Sequence, residues 1–109
     1  MLYVRVSLMR PKPGFEHEVA EMMDSLVTFY ANQPGYLNGY KLRSADDGGL
    51  VGRVTVWKSG ELADATAQSA HVLAQRSELH SLIEADSHAE WSFDAAEASE
   101  ALADRVGKP

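Results

Sequence analysis

NQPGYLNGYKLRSADDGGLVGRVTVWKS, residues 32–59, holds a helix stop, a hairpin and a helix start in a single run. Pro34 disfavours helix in the residue before it and Gly35 tolerates a left-handed turn, so Asn32-Gln33-Pro34-Gly35 ends the helix preceding it. Asp46-Asp47-Gly48-Gly49 is turn chemistry between two strand-like runs, and Tyr36 to Ser44 with Leu50 to Trp57 reads as an antiparallel hairpin. Ser59 then supplies an N-cap, with Glu61 and Asp64 close behind it, for an alanine-rich helical stretch from Glu61.

Upstream, Leu2, Val4, Val6 and Leu8 alternate with Tyr3, Arg5, Ser7 and Met9, the period of a half-buried strand that Pro11, Pro13 and Gly14 stop. From Phe15 to Tyr30, the residues Phe15, Val19, Met22, Leu26 and Phe29 recur every three or four positions, which predicts an amphipathic helix, acidic at its N-terminal end. Downstream, the helical stretch breaks near Ser69 and a second helix runs to about Glu84. His88 to Asp94 alternates again, with Ala89, Trp91 and Phe93 on one face and His88, Glu90, Ser92 and Asp94 on the other, giving a fourth strand.

The order strand, helix, strand, strand, helix, strand is the ferredoxin-like split β-α-β unit, an α+β fold whose four-stranded antiparallel sheet carries helices on one face. Its other face is bare, so the Leu2, Val4, Val6, Leu8 row predicts a sheet-to-sheet homodimer. One domain is expected over residues 1–94. In the tail, residues 95–109, Ala98, Leu102 and Val106 fall at helical spacing among acids, so it either docks on a partner or frays.

Composition narrows the function. The 109 residues suit one domain, and sixteen acids against ten bases give a net charge of -6. Lys and Arg are spread singly, without the basic stripe of a phosphate reader, so no nucleic-acid partner is expected. No apolar run reaches the length of about 18 residues that a membrane span needs, and Arg5 interrupts the first apolar stretch. A cytoplasmic protein with neither signal peptide nor membrane partner is expected. The absence of cysteine removes disulfides, thiol nucleophiles and cysteine metal sites. The four histidines form no His-x-His or His-x-x-x-His pair and sit in no carboxylate cluster, so no metal site is expected. Hydrolase, kinase and glycosidase signatures are also missing.

Gln33-Pro34-Gly35-Tyr36-Leu37, Thr55-Val56-Trp57-Lys58-Ser59 and Glu90-Trp91-Ser92-Phe93, in this order of elements, resemble the antibiotic biosynthesis monooxygenase (ABM) domain family over residues 1 to 94. The resemblance implies a dimeric alpha-beta barrel with a pocket in each subunit between sheet and helices. It implies no single activity: some members oxidise anthrone-like polyketides with oxygen and no metal or flavin, whereas others degrade haem or modify quinols. Trp57 matches the Trp-x-Ser tryptophan that the anthrone oxidisers use on their substrate, and Arg76 lies near the position of their functional arginine. Two positions depart: the asparagine four residues before the tryptophan is Arg53, and a tyrosine beyond it is Ala63. The residues of the haem-degrading branch are not matched: Ser7 or Val6 stands for its first-strand asparagine, Arg76 for its histidine, and no tryptophan lies between Trp57 and Trp91.

The residues themselves carry both structural and functional readings. Arg76 falls about 40° from the centre of an apolar helical stripe formed by Val72, Leu73, Leu79, Leu82 and Ile83. So placed, it either pairs with an acid, most simply Glu90 or one in the tail, or points into a pocket and holds an oxyanion. His80 and His71 lie at opposite edges of the stripe, and His80 is the better pocket candidate for taking a proton; His17 and His88 read as surface. Trp57 is either core or pocket wall. Tyr3, Arg5 and Ser7 share one face of the first strand, and Arg53, Thr55 and Trp57 one face of the third. This mixed row suits either a ligand pocket or a wet dimer interior. Met22 and Met23 would suit a flat apolar ligand or fill core.

The expected activity is therefore a cofactor-independent oxygenation of an aromatic polyketide-like or quinol substrate, with molecular oxygen as co-substrate. Trp57, Arg76 and His80 are the catalytic candidates, and Tyr3, Arg5, Ser7, Arg53, Thr55 and Met22 the substrate-binding ones. The alternative is a non-catalytic dimer of the same fold that binds a small hydrophobic aromatic ligand, which Arg53 and Ala63 favour.

Overall fold

A computed structural model describes residues 1–46 and 49–98. The elements are β1 (Leu2–Met9), α1 (Glu16–Ala31), β2 (Tyr36–Arg43), β3 (Val51–Trp57), α2 (Gly60–Ala67), α3 (Ala70–His80) and β4 (Ala89–Ala95). The sheet is antiparallel in the order β2-β3-β1-β4, which is the expected ferredoxin-like arrangement with all helices on one face. The fourth strand continues one residue past the expected domain end, to Ala95. Leu102 and Val106, two of the three tail residues at helical spacing, lie outside the described residues.

Two serines set the helix breaks. The hydroxyl of Ser59 accepts the backbone N–H of Leu62, and that of Ser69 accepts the N–H of Val72, so Ser69 starts α3 rather than interrupting one long helix. The expected extension of this helix to Glu84 is corrected, because α3 ends at His80 with Ser81 as its cap. Beyond it, Ile83 bridges Pro11 and the Glu84 N–H reaches the Arg10 carbonyl, so this segment closes the end of β1 instead of winding on. In α1 the buried residues are Val19, Met23, Leu26 and Tyr30; Met22 and Phe29 flank that face half-buried, and Phe15 is exposed. The same helical period thus centres about 50° away from the expected stripe, with Val19 and Leu26 common to both.

Two glycines permit close approaches. A Cβ at Gly52 would run into the Ser7 carbonyl oxygen where β3 packs beside β1. Gly35 has φ of +86°, and a Cβ there would lie 2.8 Å from the Leu62 Cβ, so the turn at its position is closed to side chains for two reasons. Gly35→Ala is expected to destabilise the fold by about 2–4 kcal/mol, read as a lowered urea midpoint.

Candidate functional site

β1 points Tyr3, Arg5, Ser7 and Met9 toward the helices. The register places Trp57, Thr55 and Arg53 of β3 opposite Tyr3, Arg5 and Ser7, and places Glu90 and Ser92 of β4 opposite Ser7 and Arg5. The mixed polar row therefore lies between sheet and helices, with Ser7 1%, Thr55 3% and Arg53 5% exposed. Leu2, Val4, Val6 and Leu8, with Val54, Val56, Trp91 and Phe93, lie on the helix-free face by the same register.

Trp57 is 2% exposed and packs edge-on against Tyr30 and Tyr36. Its indole N–H donates to the Thr55 hydroxyl at 2.9 Å, which fixes the ring plane. Tyr30 from α1 and the small side chains of Ala63 and Ala67 from α2 close over Arg5, Arg53, Thr55 and Trp57. They leave a hollow of about 10 Å³, the room of roughly one water.

The cations of the site are partnered unequally. Arg5 donates to Asp64 at 2.7 Å and to the Tyr3 hydroxyl at 2.8 Å, and lies 3.6 Å from Glu90. Arg76 donates to Glu90 at 3.3 Å. Arg53, the most buried of the three, has no carboxylate in ion-pair contact among the described residues. Its guanidinium instead meets the Met23 sulfur at 3.4 Å and the Tyr30 hydroxyl at 3.3 Å, over the Tyr30 ring.

Histidines occupy the β4 side of the row. His88, expected at the surface, is instead half-buried, because it enters β4, whose first residue Ala89 pairs with Leu8, on the same side as Glu90, which pairs with Ser7. The His88 Nε2 and the Ser7 Oγ are hydrogen-bonded at 2.8 Å, and the His80 ring lies 4.9 Å from that of His88. Glu90 approaches the same Nε2, at 3.7 Å, so the acid does not hold the far ring nitrogen as a Ser-His-acid triad requires. Burial, followed by the neighbouring His80, pushes the His88 pKa below the ordinary histidine value, while Glu90 opposes the shift and Arg76 and Arg53 add to it. His80 is exposed, His71 stacks on Phe29 with ring centres 4.0 Å apart, and His17 pairs with Glu21 at an exposed turn of α1.

Of the sequence candidates, Arg5, Arg53, Thr55 and Trp57 thus meet at one hollow, with Tyr3 tied to Arg5; Ser7, Arg76 and His80 gather around His88 and Glu90. Met22 lines neither this hollow nor the larger cleft of about 520 Å³ that opens between α1 and the β2–β3 hairpin. Met23 does line that cleft, and so stands between it and Arg53. Sequence reasoning weighed Met22 and Met23 together and chose Met22 as the substrate-binding candidate, and it missed Tyr30, His88 and Asp64 as participants. The spacing Val19, Met23, Leu26, Tyr30 was the available signal for choosing Met23 over Met22 and for finding Tyr30.

A profile of the antibiotic biosynthesis monooxygenase family matches residues 1–77. The chain belongs to that family. SnoaB of Streptomyces nogalater, a cofactor-independent oxygenase, superposes with a TM-score of 0.77 at 18% identity, over 89% of this chain and 95% of its own. Rv0793 of Mycobacterium tuberculosis gives 0.80 at 18% identity, over 92% of this chain and all 100% of its own. A putative antibiotic biosynthesis monooxygenase of Nitrosomonas europaea gives 0.78 at 20% identity, over 86% and 89%. No curated protein matches the sequence. Among the described residues, no helix is long and apolar enough to cross a membrane, and no group of three or more metal-ligand side chains occurs.

The His88 environment has a pH consequence. Its folded-state pKa is lowered, so the unfolded chain binds more protons there and stability falls as pH drops through the ordinary histidine value, levelling off below the folded one. Ring-proton NMR is expected to show a His88 midpoint below the ordinary histidine value, and His88→Gln to flatten the acid-side decline of the urea midpoint.

Proposed function

We propose that this protein is a cofactor-independent monooxygenase that oxidises an electron-rich aromatic substrate, polyketide-like or a quinol, with molecular oxygen. Membership of the family supports this reading. The observation that carries it is the buried row in which Trp57, Tyr30 and two small alanines enclose a hollow beside a guanidinium without a carboxylate. Such a site can take in the oxygen end of a flat ring, stabilise a developing oxyanion and exclude bulk water.

In the proposed reaction, a methylene flanked by aromatic rings loses a proton and becomes a carbanion conjugated to an oxyanion. The carbanion gives one electron to oxygen, the resulting radical and superoxide combine, and protonation yields a hydroperoxide. Loss of water then leaves a ketone. One oxygen atom ends in the product and the other in water, and all four electrons come from the substrate carbon. Trp57 and Tyr30 wall the hollow that receives the oxygen end of the ring. Arg53 and Arg76 hold negative charge, although Arg76 shares its own with Glu90. His80 and His88 receive the proton as a pair, with His88 the inner member, its pKa held below the ordinary histidine value.

The proposed assembly is a homodimer joined through the helix-free face. There Tyr40, Trp91 and Phe93 are 61%, 46% and 53% exposed, beside half-buried Val54 and Val56. Trp91 and Phe93 adjoin the aliphatic row of β1 and Tyr40 adjoins Val54 of β3 across the ladders, an apolar surface of the kind that marks interfaces. Phe93→Glu is expected to give a monomer by light scattering; a variant that remained a dimer would place the interface elsewhere.

Oxygen uptake by metal-free protein with anthrones and hydroquinones tests the activity. Uptake above the uncatalysed rate is expected, lowered about tenfold or more by Trp57→Phe. Arg76→Met should act mainly on stability if its Glu90 pair is structural, and on turnover if it holds the oxyanion. Ligand binding without any uptake would select the alternative, a non-catalytic binding dimer.

A further inference from the structure

We propose that the site selects a substrate bearing an anionic oxygen, an aromatic carboxylate or an ionised phenol, that Arg53 anchors it, and that the Met23 side chain is the movable stopper through which it enters. The inference deepens the oxygenase reading and rests on it for the fate of the bound ligand, while the binding step stands on its own geometry.

Arg53 is 5% exposed, and its partners are a thioether, a phenol and the face of the same phenol ring. A buried guanidinium needs charge compensation, and these neutral groups supply little of it. The nearby acids do not reach it: Asp64 is taken by Arg5, and Glu90 is shared among Arg5, Arg76 and His88. The guanidinium fork is shaped for two parallel hydrogen bonds to a carboxylate or one short bond to a phenolate, each stronger than the contact to sulfur that now occupies Nη1. An incoming oxyanion therefore gains by exchange.

The exchange has a route. Met23 is 3% exposed, touches Arg53 on one side and lines the cleft of about 520 Å³ on the other. A cleft of that size accommodates a small aromatic molecule. Methionine is unbranched and has three rotatable bonds, so its sulfur can leave the guanidinium without backbone movement. Lys41, in register with Arg53 on β2, adds no second anchor in that wall, since its ammonium is 2.6 Å from Asp24. Recognition of the anion thus falls to one residue, and the interior beyond it, with room for roughly one water, admits the charged end of the ligand rather than the whole.

The test is ligand titration of the full chain, followed by calorimetry, with 1-naphthoate, its neutral amide and 1-naphthol as probes. Wild type is expected to bind 1-naphthoate about tenfold or more tighter than the amide if the carboxylate is the anchored group. If the phenolate is, it will bind 1-naphthol with an affinity that climbs as the naphthol ionises. Arg53→Met should abolish whichever preference is present, and Arg53→Gln should do the same in a polar side chain. Met23→Ala should speed association in stopped flow about threefold or more without changing the preference for the anion. Equal binding of acid and amide with no rise for the ionised naphthol overturns the proposal, as does a preference that survives in both folded Arg53 variants. Anion preference without oxygen uptake on any substrate would keep the anchor and remove the oxygenase reading; uptake without anion preference would do the reverse.

Discussion

The central strand β1 sends Tyr3, Arg5, Ser7 and Met9 to the helices and Val4, Val6 and Leu8 away from them, and the remaining architecture accommodates that choice. In a two-layer α+β domain the helix-covered face is ordinarily the apolar one. Here the covered face contains two arginines, a serine and a threonine, and the uncovered face is aliphatic and aromatic. A shift of one residue in the pairing would exchange the two faces, so the register of β1 with β3 and β4 defines both the polar interior and the apolar exterior.

A polar interior holds only if its groups find partners. Ser7 is joined to His88, Trp57 to Thr55, Arg5 to Asp64 and Tyr3, and Arg76 to Glu90. Two acids thus serve two of the three arginines, and Glu90 does so from β4 while also facing His88. The third arginine is the deepest, and it is held by softer contacts to Met23 and Tyr30. Replacing a buried ion pair by apolar groups is often neutral or stabilising, whereas an uncompensated charge is a burden on the fold. Arg53 is therefore hard to explain by stability alone, while Arg5 and Arg76 are readily explained by it.

The fold was legible in sequence because its signals were local. Alternation marked β1 and β4, Pro34-Gly35 closed α1, and Ser59 opened α2 through a cap that the structure reproduces. Faces were legible only where one was uniformly apolar. On β1 the periodicity separated the two rows without saying which met the helices, since that depends on where α1 and α2 pack. On α1, Met22 and Met23 are equally apolar neighbours, and a rotation of 100° decides which of them reaches Arg53. The surface reading of His88 failed for a long-range reason: its inward placement follows from the pairing of Ser7 with Glu90 across the sheet, 83 positions apart in sequence. The α3 boundary failed because Leu82 and Ile83 continue the apolar spacing, yet are drawn off to the end of β1 at Pro11 and Lys12.

The hydrogen bond from Trp57 to Thr55 constrains the chemistry of the site. With its one N–H engaged inside the protein, Trp57 presents ring surface and no donor to the hollow. The polar work then falls to the guanidinium of Arg53, whose second contact, Tyr30, also packs edge-on against Trp57. Ring surface and positive charge are thus fixed in one rigid cluster, while the group nearest the open cleft is the pliable side chain of Met23. Rigid charge behind a soft entrance favours a ligand whose negative end arrives first and whose apolar body fills the space that methionine vacates. Ala63 and Ala67, small on the α2 face above the hollow, keep the space around that negative end from being filled by the protein itself. Water is excluded there by the same packing, so a charge that forms in the hollow interacts with Arg53 through a low-dielectric interior rather than through solvent.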